Sequence, residues 1–557
     1  MIHGSKKWRF QFLIVVCCFA ALIGWRIYTM AIAPDGAPHW DEAAHTLRGI
    51  LISEDIQQRD WPGFFYDSYR QVYWPPLQSW FVGAAFLIGP VSMVAARVVS
   101  LVVFLLAAIL LYITGINMTR QYREVAAAIA AILFLTNTEM AAHAAEVMLE
   151  IYGILFLIVT FLLYFITTKY PHESKVYFLL GLSVAAAYFA KANYGILLFM
   201  VILIGAVMDV RFRVRKLLTR EMFFFLLPIT VIFAIWFVYP PKITSTWQAL
   251  VNVPFGVQEP YTAAGLLFYP RALVSMAGAG WMFAVWLAAF VAAFWYWRDR
   301  NVRFLLILIT LQFLLGQIHH TKVVRHLLPI LPAIFLLIGY VLAQWWASGK
   351  RGVKFWLPRA ASVGLLVAAT LAFAQTYEAD ARQTDHALIA YLSEVARTQD
   401  SLLLIGSMDL VQPSPPVLDW NLTAKEKVLD ISHSGVTMHY EQDRAAQDLF
   451  KKIPVLALQN TILPVLQRAD STLGLRTLYL GLPAGTRYST GPAGLESFLR
   501  EQWGVEGVKS VVVLSRKDDA GRFPESAIKP ALENLGLQQV ESQSFSQTKV
   551  TVYQTGE

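Results

Sequence analysis

The stretch from residue 41 to residue 55 contains side chains that could act together on a substrate. If it is helical from Asp41, then Asp41, His45 and Arg48 fall at positions i, i+4 and i+7 on one helix face. A carboxylate, an imidazole and a guanidinium so aligned could move a proton and hold an anion. The structural alternative is that Asp41 caps the helix and Glu42 interacts with its dipole. The other face would be apolar, which predicts a helix at a membrane interface. That stripe consists of Ala44, Leu47 and Leu51.

Three glutamates surround a second short loop, which lies between two apolar segments. They are Glu139, Glu146 and Glu150. The spacing of Glu146 and Glu150 predicts that they share a helix face. Two carboxylates one turn apart are costly near a membrane unless they face water, a cation or a base. The spacing therefore predicts a polar site at this end of the apolar segments.

Basic side chains lie at the ends of other apolar segments. Lys322 and Arg325 are spaced i, i+3, which predicts a basic site at a helix start that could bind an anion. The alternative for each such cation is that it snorkels to the lipid headgroups. The other candidates of this kind are Arg97 and Lys191.

Several functional classes lack the residues that they require. The sequence contains neither GxxxxGK[ST] nor HExxH, which argues against an ATP-driven pump and a membrane metalloprotease. Cys17 and Cys18 are its only cysteines, and adjacent cysteines offer no disulfide framework or metal-ligand spacing. The formal net charge of +8 comes from residues before 377, since the remainder is slightly acidic. The basic residues therefore indicate membrane orientation, and no nucleic-acid partner is expected.

The elements that position these residues are predicted to be membrane helices. Of 557 residues, 56% are hydrophobic and 15% charged, whereas soluble domains have roughly 45–50% and about 25%. Apolar runs of membrane-spanning length predict an α-helical polytopic membrane protein with about eleven transmembrane helices. The expected spans are 10–33, 92–117, 124–139, 147–168, 175–190, 192–208, 221–240, 272–297, 303–318, 323–346 and 357–376.

The segment 76–89 decides the predicted orientation. Fourteen helical residues rise only ~21 Å, which is short of a ~30 Å hydrocarbon core. We therefore predict an interfacial helix there. With this count the basic loops fall on the N-terminal side, which the positive-inside rule assigns to the cytoplasm. The interfacial helices at 41–55 and 76–89, Glu150, Lys322 and everything after residue 376 are then expected on the outer face.

The C-terminal part is predicted to be a soluble α/β domain. Residues 1–376 form the predicted transmembrane domain, and residues 377–557 a periplasmic or extracellular domain. Amphipathic helices are expected between its strands, at 381–398 and 524–536. The expected strands are 401–406, 476–482, 508–515 and 549–554.

Several short motifs occur in one order along residues 10–376. They are Asp41-Glu42, Pro75-Pro76-Leu77, Ala95-Ala96-Arg97, the acid Glu150 before an apolar run, and Lys322-x-x-Arg325-His326-Leu327-Leu328-Pro329. Together they resemble the polytopic glycosyltransferases of the GT-C fold, in particular the group of protein O-mannosyltransferases and lipid A aminoarabinose transferases. The resemblance implies a polyprenyl-phosphate-sugar donor, transfer at the outer face, and Asp41 as catalytic carboxylate.

The resemblance also assigns roles by position. It implies that Glu42 completes the acidic pair and that Glu150 is the second-loop acid, where relatives commonly have Asp. Trp74 departs from the pattern, because relatives often have Lys or His before Pro-Pro. The predicted catalytic residues are Asp41, Glu42 and Glu150. The predicted substrate-binding residues are His45, Arg48, Arg97, Lys191, Lys322, Arg325 and His326, the last at a usual Tyr.

The predicted function is a glycosyltransferase of the inner (plasma) membrane with a cytoplasmic N-terminus. It would transfer a sugar, with inversion, from a polyprenyl-phosphate donor to a lipid, glycan or protein acceptor at the outer face. The alternative is a transporter or flippase of a lipid-linked or anionic substrate. Two mechanisms stay open: Asp41 acts as a general base, or Asp41 and Glu150 share a divalent cation. No other cofactor is expected.

Overall fold

A computed structural model describes most of the helical part of the chain and parts of the C-terminal region. The described residues are 6–36, 38, 40–69, 71, 75–119, 121–211, 213, 219–238, 243, 246–247, 259–348, 352–378, 387–388, 390–391, 394, 401–405, 476–479, 510–516, 525–545 and 548–556. The chain forms two compact units. The first contains residues 1–35, 72–78 and 97–380, and the second contains residues 36–71, 79–96 and 381–557.

Long helices make up nearly all of the described part before residue 377. They are α1 (Lys6–Ile27), α2 (Trp40–Gln57), α3 (Trp61–Tyr69), α4 (Leu77–Ile88), α5 (Met93–Met118), α6 (Arg123–Leu135), α7 (Thr138–Ala144), α8 (Leu149–Thr167), α9 (Ser174–Ala190), α10 (Ala192–Asp209), α11 (Arg220–Trp236), α12 (Ala263–Met276), α13 (Gly280–Ala293), α14 (Arg300–Ile318), α15 (Ile330–Ser348) and α16 (Val353–Thr376). A π-helical turn, Tyr28–Ile32, extends α1. The predicted polytopic helical fold is confirmed.

The number of membrane-spanning helices is lower than the predicted eleven. In the described residues, seven helices are long and apolar enough to span a membrane, or nine if each of two bent pairs forms one span. The two further predicted spans, 175–190 and 221–240, correspond to α9 and α11, which have 17 residues each. At ~1.5 Å per residue such a helix rises only ~26 Å, so neither helix is long enough to be counted as a membrane span by its length.

Two predicted spans are bent rather than straight. Helices α6 and α7 meet at 63°, and the helical segments on either side of residues 277–279 meet at 107°. The first break is stabilised by Asn137, whose side chain caps α7 through the Met140 amide at 3.0 Å. The second contains Gly278 with φ 74°, a conformation that suits glycine. Apolar composition alone does not reveal such breaks, so the prediction of 272–297 as one span was wrong: α12 begins at Ala263.

Helices form in both segments that were predicted to lie at the interface, although that placement stays a prediction. The expected amphipathic pattern of α2 is absent, because Asp41 and His45 are as buried as Leu47. Gly49 allows α2 and α4 to approach closely: a Cβ at Gly49 would lie 2.5 Å from Val82 Cγ1. Helix α2 is therefore packed on most sides, which its sequence pattern did not indicate.

The C-terminal region contains a five-stranded mixed sheet. Its strands are β1 (Ser401–Ile405), β2 (Arg476–Tyr479), β3 (Ser510–Arg516), β4 (Leu537–Phe545) and β5 (Thr548–Thr555), in the order β2-β1-β3-β5-β4. Strand β1 pairs in parallel with β2 and β3, whereas β5 pairs antiparallel with β3 and β4. Helix α17 (Glu525–Asn534) precedes β4.

All four predicted strands form, and the predicted helix 524–536 is α17. Most of the predicted helix 381–398 lies outside the described residues. Strand β4 was missed because it is an edge strand whose seven inner residues are exposed, so its sequence lacks the alternation of a half-buried strand. The boundary predicted at residue 376 stays a prediction.

Candidate active site

Three chain reversals of the first unit meet at one end of its helices. Glu150 lies in the first turn of α8, Lys191 separates α9 from α10, and Arg325 lies in the 3-10 turn Val324–Leu327 before α15. The Lys191 ammonium donates to Glu150 Oε1. Arg325 Nε lies 3.6 Å from the same oxygen. We call Glu150, Lys191 and Arg325 the ion cluster.

Glycines and an extended residue make this contact possible. Lys191 has φ −157° and ψ 113°, so the chain passes directly from α9 into α10 through one non-helical residue. A Cβ at Gly153 would lie 2.6 Å from Tyr194 Cδ2 and 3.2 Å from Lys191 Cβ. A Cβ at Gly195 would lie 2.5 Å from Tyr188 Cβ. Close approach of α8, α9 and α10 therefore places Lys191 against Glu150.

The ion cluster holds two positive charges and one negative charge. Only 2% of the Glu150 side chain is exposed, against 13% for Lys191 and 35% for Arg325. A buried carboxylate requires partners of this kind, because loss of water is costly for a charge. The positive excess reaches the surface through Arg325, so the cluster is suited to hold an anion there.

Lys322 was predicted to bind an anion, whereas in the structure its ammonium contacts backbone carbonyl groups. The side chain is 3% exposed. Its ammonium donates to the carbonyl oxygens of Gly316 at 2.9 Å and Gln317 at 2.6 Å, and it lies 5.2 Å from the centre of the Tyr269 ring. Burial lowers the pKa of Lys322. In this structure Lys322 caps the C-terminal end of α14, where carbonyl groups attract a cation.

His326 lies between the ion cluster and α12. Its Nδ1 lies 3.5 Å from the Tyr269 hydroxyl, and its carbonyl oxygen accepts a hydrogen bond of 2.6 Å from Gln312. Burial, followed by the charges of Lys191 and Arg325, lowers the pKa of His326 to about 3. The imidazole is therefore neutral at physiological pH and adds no charge to the cluster.

Arg97 lies in the second turn of α5 and is only 5% exposed. The snorkelling alternative does not apply to it, because a snorkelling side chain exposes its charged end. One turn further along α5, the Ser100 hydroxyl lies 3.2 Å from the Tyr152 hydroxyl on α8. This contact connects α5 to the first turn of α8, which carries Glu150.

The predicted acidic residues of the first loop lie in α2, within the second unit. Asp41, Glu42 and His45 are 7%, 0% and 2% exposed, and Arg48 is half-buried. Thr46 donates to the Glu42 carbonyl at 2.7 Å. Such deep burial is unusual for charged residues, which mostly lie on the protein surface. This burial favours a functional interpretation of α2 over a solvent-exposed helix start.

The predicted pairing of Glu146 with Glu150 on one helix face was wrong. Helix α8 begins at Leu149, so Glu146 lies in the preceding turn. Glu139 lies at the start of α7, where His143 Nδ1 is 3.8 Å from its carboxylate. Glu150 is thus the glutamate of this set that joins the ion cluster.

Tyr194 and Tyr269 contact the two lysines of this region and were not predicted from the sequence. The Lys191 ammonium lies 5.4 Å from the centre of the Tyr194 ring. Tyr194 follows Lys191 by three residues at the start of a helix, a spacing that could have indicated the contact. Tyr269 is distant in sequence from Lys322 and gave no signal.

The described residues do not fit a divalent cation at Glu150. Its Oε1 faces Lys191 and Arg325, and a metal ion there would meet two positive charges. Among the residues that the structure describes, no group of three His, Cys, Asp or Glu side chains is arranged to hold a metal ion.

Comparisons with known proteins agree with the helical membrane fold described above. A family model described as dolichyl-phosphate-mannose-protein mannosyltransferase matches residues 74–240. The chain is similar to the structure of ArnT from Cupriavidus metallidurans bound to undecaprenyl phosphate, with a TM-score of 0.52 and 13% identity over 99% of this chain and 98% of that chain. It is also similar to the archaeal oligosaccharyltransferase AglB from Archaeoglobus fulgidus in complex with an inhibitory peptide and a dolichol-phosphate. That match has a TM-score of 0.50 and 13% identity over 100% of this chain and 75% of that chain.

The comparison with solved structures extends to arabinofuranosyltransferase AftD from Mycobacteria, with a TM-score of 0.51 and 13% identity over 97% of this chain and 41% of that chain. No curated protein matches the chain. The predicted resemblance and the predicted GT-C fold are confirmed by these similarities. The matched segment 74–240 contains Arg97, Glu150 and Lys191.

Proposed function

We propose that this chain is a membrane glycosyltransferase that transfers a sugar from a polyprenyl-phosphate donor to an acceptor. The observation that carries the proposal is the family-model match over residues 74–240, which includes two members of the ion cluster. The GT-C fold over the whole chain supports it. The acceptor class is a lipid, glycan or protein with a free hydroxyl group.

The reaction needs a site for an anionic leaving group. The acceptor oxygen forms a bond to the anomeric carbon, the bond from that carbon to the phosphate oxygen breaks, and polyprenyl phosphate leaves with the electron pair. Attack from the opposite face inverts the anomeric centre. We assign the developing phosphate charge to Lys191 and Arg325, because fixed cations stabilise such a charge in the transition state. The acceptor proton passes to the carboxylate of Asp41, as the resemblance implies.

Glu150 takes a positioning role in this proposal, although it was predicted to be catalytic. Its carboxylate is 2% exposed and is bound by Lys191. A carboxylate so buried and paired is poorly placed to accept a proton from a substrate hydroxyl. Instead, the Glu150 carboxylate holds the side chains of Lys191 and Arg325 in position. No step of the proposed reaction passes through a metal ion.

We propose the orientation that the loop charges predict, with a cytoplasmic N-terminus and residues 377–557 on the outer side. Basic side chains gather at the end of the first unit opposite to the ion cluster. Arg300 Nε lies 3.1 Å from Asp209 Oδ2, and Arg303 pairs with the other oxygen of Asp209. An excess of basic residues at one end is typical of the cytoplasmic side.

Reconstitution tests the proposed function. Purified protein in liposomes is given a polyprenyl-phosphate sugar labelled in both the sugar and the carrier. A transferase releases unlinked polyprenyl phosphate and passes the sugar to an acceptor, whereas a flippase moves the intact lipid between leaflets. Asp41→Asn is the control, since Asn removes the charge of the Asp41 side chain and keeps its size and shape. We expect this variant to fold and to release no carrier phosphate. Movement of intact lipid without release contradicts the proposal.

A further inference from the structure

Tyr194 places a buried hydroxyl group beside the ion cluster. The side chain is 0% exposed, and its hydroxyl has no hydrogen-bond partner among the described residues. Buried polar groups nearly always have a partner, because an unsatisfied one destabilises the folded protein. The unpaired hydroxyl is explained if the ion cluster has a second arrangement in which this hydroxyl forms a hydrogen bond.

The position of Tyr194 identifies the group to which its hydroxyl can donate a hydrogen bond. The ring packs against Gly153, where a Cβ would lie 2.6 Å from Tyr194 Cδ2. Gly153 is one turn from Glu150 on α8, so the two positions share a helix face. The Lys191 ammonium, which binds Glu150, lies 5.4 Å from the centre of the Tyr194 ring. Among the members of the ion cluster, only the Glu150 carboxylate can accept a hydrogen bond.

If the proposed function is correct, the Lys191 ammonium binds two anions in turn: the Glu150 carboxylate and the phosphate of the donor. In this structure it donates to Glu150, a carboxylate that is 2% exposed. To reach the phosphate of a donor outside this buried position, the ammonium must move away from Glu150. The carboxylate would then lose a charge-assisted hydrogen bond while it stays buried, which is costly.

We propose that the Tyr194 hydroxyl is a reserve hydrogen-bond donor to Glu150, which replaces Lys191 when the Lys191 ammonium turns to the phosphate of a bound polyprenyl phosphate. The inference rests on the proposed function. One new hydrogen bond then satisfies both the hydroxyl and the carboxylate. Tyr194 is thus a positioning residue: it does not touch the donor, and it lowers the cost of moving Lys191.

Tyr194→Phe tests this inference, with undecaprenyl phosphate as the probe. Removal of an unpaired hydroxyl should leave the melting temperature of the free protein unchanged or raise it. Affinity for undecaprenyl phosphate should fall about tenfold, the effect of losing one hydrogen bond of ~1.4 kcal/mol in the bound state. Affinity for undecaprenol, which lacks the phosphate, should not change.

A matched control is Tyr340→Phe, at the opposite end of the helices. The Tyr340 hydroxyl donates to Asp299 Oδ2 at 3.3 Å. We expect that variant to melt earlier and to bind undecaprenyl phosphate normally. Unchanged affinity in Tyr194→Phe overturns the inference, and so does a lower melting temperature of its free form, because the hydroxyl would then already be paired. Wild-type protein that binds no undecaprenyl phosphate overturns both proposals. Wild-type protein that binds it but transfers no sugar contradicts the proposed function alone.

Discussion

At the scale of single residues, the buried carboxylate of Glu150 determines the behaviour of the ion cluster. It is 2% exposed and bound by Lys191. Removal of one member of a buried ion pair leaves an uncompensated charge and typically costs about 3–5 kcal/mol. We therefore expect Glu150→Gln to lower the melting temperature of the detergent-solubilised protein strongly.

The double variant Glu150→Gln with Lys191→Met is the matched control for that prediction. It removes the opposed charges together, so most of the lost stability should return, although transfer activity should not. Equal melting temperatures for the double variant and for Glu150→Gln alone would show that the two side chains do not interact.

His326 predicts a pH dependence of stability. The ordinary pKa of histidine is about 6.5, and in the folded protein that of His326 is lowered to about 3. Below pH 6.5 the unfolded chain binds a proton that the folded protein does not, so this residue makes stability fall as pH falls from 6.5 towards 3. His326→Gln should reduce the loss of melting temperature between pH 6.5 and pH 4. A loss as steep as that of the wild type would contradict the proposed burial.

At the scale of helices and turns, the close approach of α8 and α10 depends on Gly153. A Cβ there would lie 2.6 Å from the Tyr194 ring and would push α10 away. We expect Gly153→Ala to lower both thermal stability and affinity for undecaprenyl phosphate. Gly364→Ala in α16 is the control: no described residue outside its own helical turn has an atom within 4 Å of its Cβ position, and Ala favours a helix by up to ~1 kcal/mol. Similar melting temperatures for the two variants would contradict this role of Gly153.

The sequence predicts helices and strands wherever their apolar pattern is strong, and it fails where the pattern is interrupted by a local contact. All four strands that contain apolar runs were predicted, whereas the exposed edge strand β4 was missed. The break at Asn137 depends on a hydrogen bond of 2.9 Å from its side chain to the Met276 carbonyl, 139 residues away. No local pattern contains such a contact.

Local sequence patterns also failed to predict the long-range contacts of the candidate site. The charges of Glu150, Lys191 and Arg325 were identified from their types and from the resemblance, but their pairing depends on three chain reversals that meet. Lys322 was grouped with Arg325 because of its spacing. The helical turn that would align them begins only at Val324, so Lys322 instead faces the end of α14.

At the scale of the whole molecule, orientation in the membrane is the prediction that connects the fold to the proposed function. A lipid-linked donor used at the outer face requires the ion cluster at that face. Tyr261 and Arg213 are both exposed and belong to loops predicted on opposite sides of the membrane. In a background with Cys17 and Cys18 replaced by Ser, Tyr261→Cys should react with a membrane-impermeant maleimide in intact cells. Arg213→Cys should react only after permeabilisation, because the positive-inside rule predicts the basic segment 211–220 on the cytoplasmic side. Labelling of Arg213→Cys from outside, with protection of Tyr261→Cys, would reverse the topology and place the ion cluster in the cytoplasmic leaflet.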